Sequence, residues 1–279
     1  MRRRRLFKQI LFYTASSFIV VMMLSLLMLL STFSSYREGL QLYDALAQHL
    51  SVRAEAEPEP FPLPLAHPEP EPEPEYPEEE PVETFTLPDH IVLPEVDFDG
   101  LRAINPNVVG WIILEGTPIN YPVVQGDDNY HYLDHLFNGT RNPSGAIFVD
   151  SYNLPDFVDD NTVIYGHHMR DGSMFAALER YRSQAFFDEN PWVFLLTPEG
   201  NYVIKLFAGY VVDVEASSWR LEFSDDAEMQ YWIDERRSRS DFISDVEVGP
   251  SDRLVTLSTC SFVFHNARYV VVGRLMPIA

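Results

Sequence analysis

Residues 9–36 contain no charged side chain and are rich in Leu, Met, Val and Phe. A helix of about 20 such residues crosses the hydrocarbon core of a bilayer, so this run predicts a transmembrane helix. Arg2 to Arg5 and Lys8 precede the run, and the positive-inside rule therefore predicts a cytoplasmic N-terminus with the remaining chain outside the cell. We expect a single-pass cell-membrane protein that contacts the bilayer through residues 10–33, with residues 1–36 as basic tip and span. The alternative is a cleaved signal peptide, although no small-residue cleavage motif follows the run.

Residues 37–95 have the composition of a connecting segment. The part at 37–53 is typical of a short amphipathic helix. Thirteen acidic residues but no Lys or Arg lie between 54 and 95. Alternating Pro and Glu at 68–75 favour an extended polyproline II conformation, because proline fixes φ and the glutamates repel each other. We therefore expect a juxtamembrane helix followed by an extended linker that acts as a spacer.

The composition becomes that of a globular domain from residue 96 to residue 279. Eight runs rich in Val, Ile, Phe and Tyr predict strands, at 109–114, 119–124, 146–149, 162–165, 192–196, 202–212, 254–259 and 268–275. Helical character occurs at 98–107, 173–181 and 225–239. This pattern predicts a mostly β domain, with a closed barrel of about eight mainly antiparallel strands and flanking helices.

Composition also argues against several classes of function. The formal charge of −22 makes nucleic-acid binding a poor expectation. The sequence has no Gly-rich phosphate-binding loop, and its predicted strands and helices do not alternate as in βαβ units. We therefore expect no nucleotide cofactor. A single cysteine excludes an internal disulfide framework and a multi-cysteine zinc site.

That single cysteine, Cys260, ends a predicted strand, where a thiol can be rigidly held and still face a groove. It becomes a nucleophile only if a neighbour takes its proton or favours the thiolate; otherwise it is a small buried hydrophobe. His167 and His168 follow the strand at 162–165, and alternation along an extended chain allows only one of them to face the thiol. Arg268 would lie beside Cys260 if the strands at 254–259 and 268–275 were antiparallel neighbours, and its guanidinium could stabilise a thiolate or an oxyanion.

Three motifs together resemble the signature of the sortase family of cysteine transpeptidases. They are Gly-His at 166–167 after a strand, Thr-Leu-Ser-Thr-Cys at 256–260, and Arg268 downstream. The resemblance spans about residues 98–275 and points to class B. Gly-Trp-Ile-Ile-Leu at 110–114, the segments 119–126 and 145–150, Asn129, and a helix-containing insertion at 219–244 are all similar to that class.

The resemblance implies a role for each residue. Cys260 attacks the threonine carbonyl of a C-terminal sorting signal of the Asn-Pro-x-Thr type and forms a thioester. His167, rather than His168, acts as acid and base, and Arg268 stabilises the oxyanion. Implied partners are secreted proteins that bear the signal and a peptidoglycan precursor or other cell-wall amine that releases the thioester. Two further residues are expected to bind substrate: Ser258 and Thr259.

One departure from the family pattern is that Ser261 and Phe262 stand where some class B members carry acidic residues. No auxiliary acid can therefore be assigned from the sequence. Two other functions stay open: a cysteine protease that only hydrolyses, and a catalytically silent membrane-tethered binding module with a structural cysteine. A pilus-assembling sortase is a further alternative, which would be expected to carry a lid motif that the sequence does not display.

Overall fold

The computed structural model describes residues 2–51, 83–215 and 217–279. Its first element is the long helix α1, Arg2–Leu46. The most apolar stretch of this helix has a mean hydropathy of 2.2, and none of that stretch is buried within the protein. By length and composition α1 is consistent with a membrane anchor. The juxtamembrane helix predicted at 37–53 is the continuation of α1. This helix ends at Leu46 and is followed by a 3-10 turn, Ala47–His49.

Eight strands close into a barrel, as the sequence predicts. They are β3 (Val108–Ile113), β4 (Asn120–Gln125), β5 (Ile147–Val149), β6 (Asn161–Tyr165), β7 (Trp192–Leu196), β8 (Asn201–Asp213), β9 (Leu254–Cys260) and β10 (Ala267–Pro277). Around the barrel the order is β10-β8-β7-β3-β4-β5-β6-β9, with β9 again beside β10. All neighbours are antiparallel except two parallel pairs, β4 with β5 and β6 with β9.

Short helices cover the outside of the barrel. They are α2 (Phe98–Ile104), α3 (Gln184–Glu189), α4 (Asp226–Arg239) and 3-10 segments at His131–Leu133, Ala176–Arg182 and Ser217–Trp219. The side chain of Asp225 accepts a hydrogen bond from the backbone of Glu228 and caps α4. The stripe of Met229, Trp232 and Ile233 is buried in a cluster with residues of β8, as its helical spacing predicts. The predicted helix at 173–181 forms a 3-10 helix and begins three residues later.

The C-terminal part of α1 packs on the barrel and belongs to its core. Tyr43 and Leu46 are only 6% and 3% exposed. The Tyr43 hydroxyl donates a hydrogen bond of 2.6 Å to the carbonyl of Gly145, and the amide of Asn142 donates one of 2.7 Å to the carbonyl of Ser35. Helix α1 is therefore attached directly to the loop between β4 and β5.

The two ends of the Pro/Glu-rich segment meet in a small ladder. Strand β1, Leu50–Ser51, pairs antiparallel with β2, Glu95–Val96. The spacer role expected of this segment stays a prediction; the ladder shows only that the residues before and after the segment lie side by side. The predicted polyproline conformation of 54–82 lies outside the described residues.

Docking of α1 predicts a difference in stability between two soluble variants, residues 34–279 and residues 96–279. We expect both to unfold cooperatively, because the whole barrel lies after residue 96. The shorter variant should be less stable by on the order of 3 kcal/mol, since it lacks the buried side chains of Tyr43, Leu46 and Ile91. Urea unfolding followed by Trp fluorescence measures the difference. Equal stabilities would mean that the docked helix contributes nothing, and a broad transition for 96–279 would contradict the domain boundary.

Candidate active site

The parallel pairing of β6 with β9 places a histidine and the cysteine at the same end of the barrel. Tyr165 lies opposite Ser258, and the Gly166 amide donates a hydrogen bond of 3.1 Å to the Ser258 carbonyl. His167 lies two residues after Tyr165, and Cys260 lies two residues after Ser258. Because parallel strands run in the same direction, these two residues reach the same edge although they are far apart in sequence.

Arg268 completes the group from the other side of β9. It is paired directly with Cys260 across the antiparallel β9–β10 ladder. Its Nη1 donates a hydrogen bond of 3.1 Å to the carbonyl of Ala267. Within the described ranges 2–51, 83–215 and 217–279, no carboxylate forms an ion pair with Arg268. Its positive charge is therefore available to a thiolate or to a developing oxyanion.

The Cys260 thiol and the His167 imidazole shift each other's protonation. A hydrogen bond from His167 lowers the pKa of Cys260; burial opposes this effect, and the charge of Arg268 adds to it. The same hydrogen bond raises the pKa of His167, against the effect of burial. The opposite directions of the two pKa shifts favour a thiolate beside an imidazolium, which is the reactive form of a cysteine nucleophile.

A backbone carbonyl fixes the orientation of the His167 ring. Nε2 lies 2.6 Å from the oxygen of Leu133, and a carbonyl only accepts, so Nε2 carries a proton. Gly145 lies against the same ring: a Cβ at this position would lie 3.1 Å from Cδ2 of His167. Its φ of +58° also favours glycine here. The loop that carries Gly145 is the one to which α1 is attached.

His168 takes the opposite side of the chain, as alternation requires. Its Nδ1 lies 3.0 Å from the backbone carbonyl of Cys260, and its ring makes an edge contact with Phe262 at 5.1 Å. Only His167 faces the thiol. The residues alone left that choice between the two histidines open.

A groove of about 570 Å³ leads to Cys260. Leu133 and Tyr165 lie among the residues on its walls, together with Val214 and Trp219. These four were not singled out from the sequence, because no local motif marks a groove wall that is assembled from separate loops and strands. The lining is mainly apolar, which suits a peptide with few charges.

The two residues expected to bind substrate, Ser258 and Thr259, also line the groove but are each only 2% exposed. The Ser258 hydroxyl accepts a hydrogen bond of 3.1 Å from Nε1 of Trp219. The Thr259 hydroxyl is buried and has no hydrogen-bond partner among the described residues. Among the residues that the structure describes, no three or more His, Cys, Asp or Glu side chains are grouped so that they could hold a metal ion.

Comparisons with known proteins agree with this architecture. Residues 112–276 match the sortase domain family. Sortase B of Staphylococcus aureus is 36% identical over 184 residues, which cover 65% of this chain and 75% of that protein. Sortase B of Listeria monocytogenes is 34% identical over 178 residues, which cover 63% and 72% of the two chains.

Solved structures of sortase B proteins are similar to this structure as well. A Staphylococcus aureus sortase B–substrate complex superposes with a TM-score of 0.63 at 36% identity, covering 65% of this chain and 85% of that one. Sortase B of Clostridium perfringens has a TM-score of 0.61 at 38% identity, covering 64% and 99%. The sequence match extends over more than half of the chain, and the barrel is shared with these structures; the chain therefore belongs to the sortase family and is a class B cysteine transpeptidase.

Proposed function

We propose that this sortase is anchored in the cell membrane and joins secreted proteins to a cell-wall amine, with Cys260, His167 and Arg268 as its catalytic residues. The observation that carries the proposal is the meeting of a thiol, an imidazole and an unneutralised guanidinium at the end of an apolar groove. The fold brings together three parts of the chain to make this arrangement.

In the first half of the reaction, the Cys260 thiolate attacks the threonine carbonyl of the sorting signal. Negative charge develops on that carbonyl oxygen, and Arg268 stabilises it. The C–N bond then breaks, and His167 donates its proton to the leaving amine. The products are a thioester on Cys260 and a free C-terminal peptide.

In the second half, the incoming amine loses a proton to His167 and attacks the thioester. The new amide forms as the C–S bond breaks, and the thiolate of Cys260 is regenerated beside the protonated imidazole. Amine must compete with water, so the acceptor has to be bound and oriented at the groove. The preferred signal is of the Asn-Pro-x-Thr type, in keeping with class B membership, and the apolar walls of the groove suit its side chains.

The attachment of α1 supports a catalytic domain that works close to the membrane, and the basic residues before the apolar run support its position outside the cell. The apolar run ends at Tyr36, and Tyr43 contacts Gly145, which lies against His167. Seven residues of helix rise about 10 Å. The groove is therefore held near the outer surface of the bilayer, and this position favours a membrane-associated peptidoglycan precursor as the source of the amine.

The proposal predicts aminolysis rather than hydrolysis. The full chain in detergent micelles, given an Asn-Pro-x-Thr peptide and a peptidoglycan-like amine, should form a ligated product and should cleave the peptide faster than without amine. Mass spectrometry of the products distinguishes the two reactions. Hydrolysis at a rate unaffected by the amine would support the protease alternative instead.

The two histidines should respond differently to substitution. Cys260→Ala should abolish turnover, and His167→Ala should lower it by at least about 10³-fold, because the general acid and base is lost. His168→Ala should retain a tenth of the activity or more, since this ring does not face the thiol. Steady-state cleavage of the peptide measures all three variants. If His168→Ala alone were inactive, the assignment of the catalytic histidine would be wrong.

Arg268→Lys should be impaired although it keeps the positive charge. A planar guanidinium can hold the oxyanion while it also donates to the Ala267 carbonyl, whereas an ammonium is a point charge on a flexible stem. We expect a loss in kcat on the order of 10²-fold. A matched Arg-to-Lys control is Arg141→Lys, whose side chain is exposed and paired with Asp134. A normal kcat for Arg268→Lys would mean that charge alone suffices.

A further inference from the structure

A largely buried carboxylate behind the thiol takes no part in the chemistry proposed above. Glu179 lies on the 3-10 helix Ala176–Arg182, and its side chain is 25% exposed. Its Oε1 accepts a short hydrogen bond from the Ser261 hydroxyl, and its Oε2 lies 3.8 Å from Nδ1 of His168. One carboxylate therefore contacts the residue that follows Cys260 and the histidine that binds the Cys260 carbonyl.

The hydrogen bond from His168 to Cys260 has a defined direction. A carbonyl oxygen only accepts, so Nδ1 of His168, at 3.0 Å, must be the protonated donor. The same nitrogen lies 3.8 Å from Oε2 of Glu179. The ring, whose side chain is 16% exposed, is also held by its edge contact with Phe262 and by a backbone bridge between His168 and Met174.

The position of Cys260 explains why such a support is needed. Cys260 is the last residue of β9, and the Ser261 amide still donates a hydrogen bond of 2.9 Å to the Ala267 carbonyl. Directly beyond, the loop exposes three apolar side chains, those of Phe262, Val263 and Phe264. The ladder therefore ends one residue beyond the nucleophile, directly before an exposed loop.

We propose that Glu179, His168 and Ser261 form a carbonyl clamp, which fixes the backbone at Cys260 and so aims the thiol at the substrate carbonyl. The clamp deepens the proposed function, since it rests on Cys260 being the nucleophile. It also supplies an acidic residue that the sequence around the cysteine lacks. Ser261 and Phe262 are not acidic, and the carboxylate comes instead from a helix about eighty residues earlier in the chain.

The three clamp residues are positioning residues, because Glu179 and Ser261 act through the backbone and His168 binds a carbonyl rather than the thiol. Misplacing a nucleophile lowers the rate of the chemical step and leaves ground-state binding of the peptide unchanged. The clamp therefore predicts a fall in kcat at constant KM. A merely structural role would instead lower the thermal midpoint and affect both constants.

The test compares four variants of the full chain in detergent micelles, with the Asn-Pro-x-Thr peptide as probe. Ser261→Ala, Glu179→Gln and His168→Ala should each lower kcat on the order of 10-fold, with KM and thermal midpoint close to those of the wild type. His168→Asn should recover most of the loss, because its side-chain amide can donate the same hydrogen bond. The matched control is Ser224→Ala, which removes an exposed Ser-to-Glu hydrogen bond of 2.6 Å at the start of α4 and should leave kcat unchanged.

A double variant checks that the residues act together. Combining Glu179→Gln with His168→Ala should cost little more than the worse single variant, since both break one clamp. Normal kcat in the single variants, or no recovery with His168→Asn, would overturn the proposal. Failure of the proposed function looks different: the wild type itself would then form no thioester with the peptide at Cys260, as read by mass spectrometry.

Discussion

The active site depends above all on one parallel contact between strands, that of β6 with β9. These strands are distant in sequence, and their register sets Tyr165 opposite Ser258. His167 and Cys260 therefore lie at the same end of the barrel. The antiparallel neighbour β10 places Arg268 directly opposite the cysteine. A shift of one residue in either ladder would turn a catalytic side chain to the other face of the barrel. The closed barrel, which leaves no free edge along which a strand could slide, holds this register.

Around that contact the chain builds two further supports. On the side of His167, the loop between β4 and β5 presents the Leu133 carbonyl to the ring, and α1 is attached to the same loop through Tyr43. On the side of Cys260, the carbonyl clamp contacts the backbone from behind. His167, the proposed catalytic histidine, is thus linked through a short series of contacts to the helix that we propose as the membrane anchor. The geometry around His167 and the position of the domain therefore depend on the same packing.

Local sequence patterns predicted the strands well because alternation and β-branched residues report a half-buried, extended backbone. The bounds of β7 agree with the prediction, and those of β3 and β4 differ by one residue. The patterns were less informative where tertiary contacts decide. Residues 37–46 continue α1 because Tyr43 and Leu46 find a buried site on the barrel. The residues that flank the Pro/Glu-rich segment, Leu50–Ser51 and Glu95–Val96, pair in a ladder that composition does not predict.

The sequence by itself determined the class of the domain, the apolar N-terminal helix, the identity of the lone thiol and the rule that only one of two adjacent histidines can face it. These properties follow from composition and from the alternation of side chains along an extended strand. Both can be read from short stretches of sequence. The resemblance to sortases pointed to His167, whereas only the tertiary structure decided how the groove walls come together and which acid stands behind the cysteine. Glu179 and Ser261 are joined by a hydrogen bond across a separation of 82 residues. No local pattern encodes such a contact, because it arises only when separate segments pack against the same barrel.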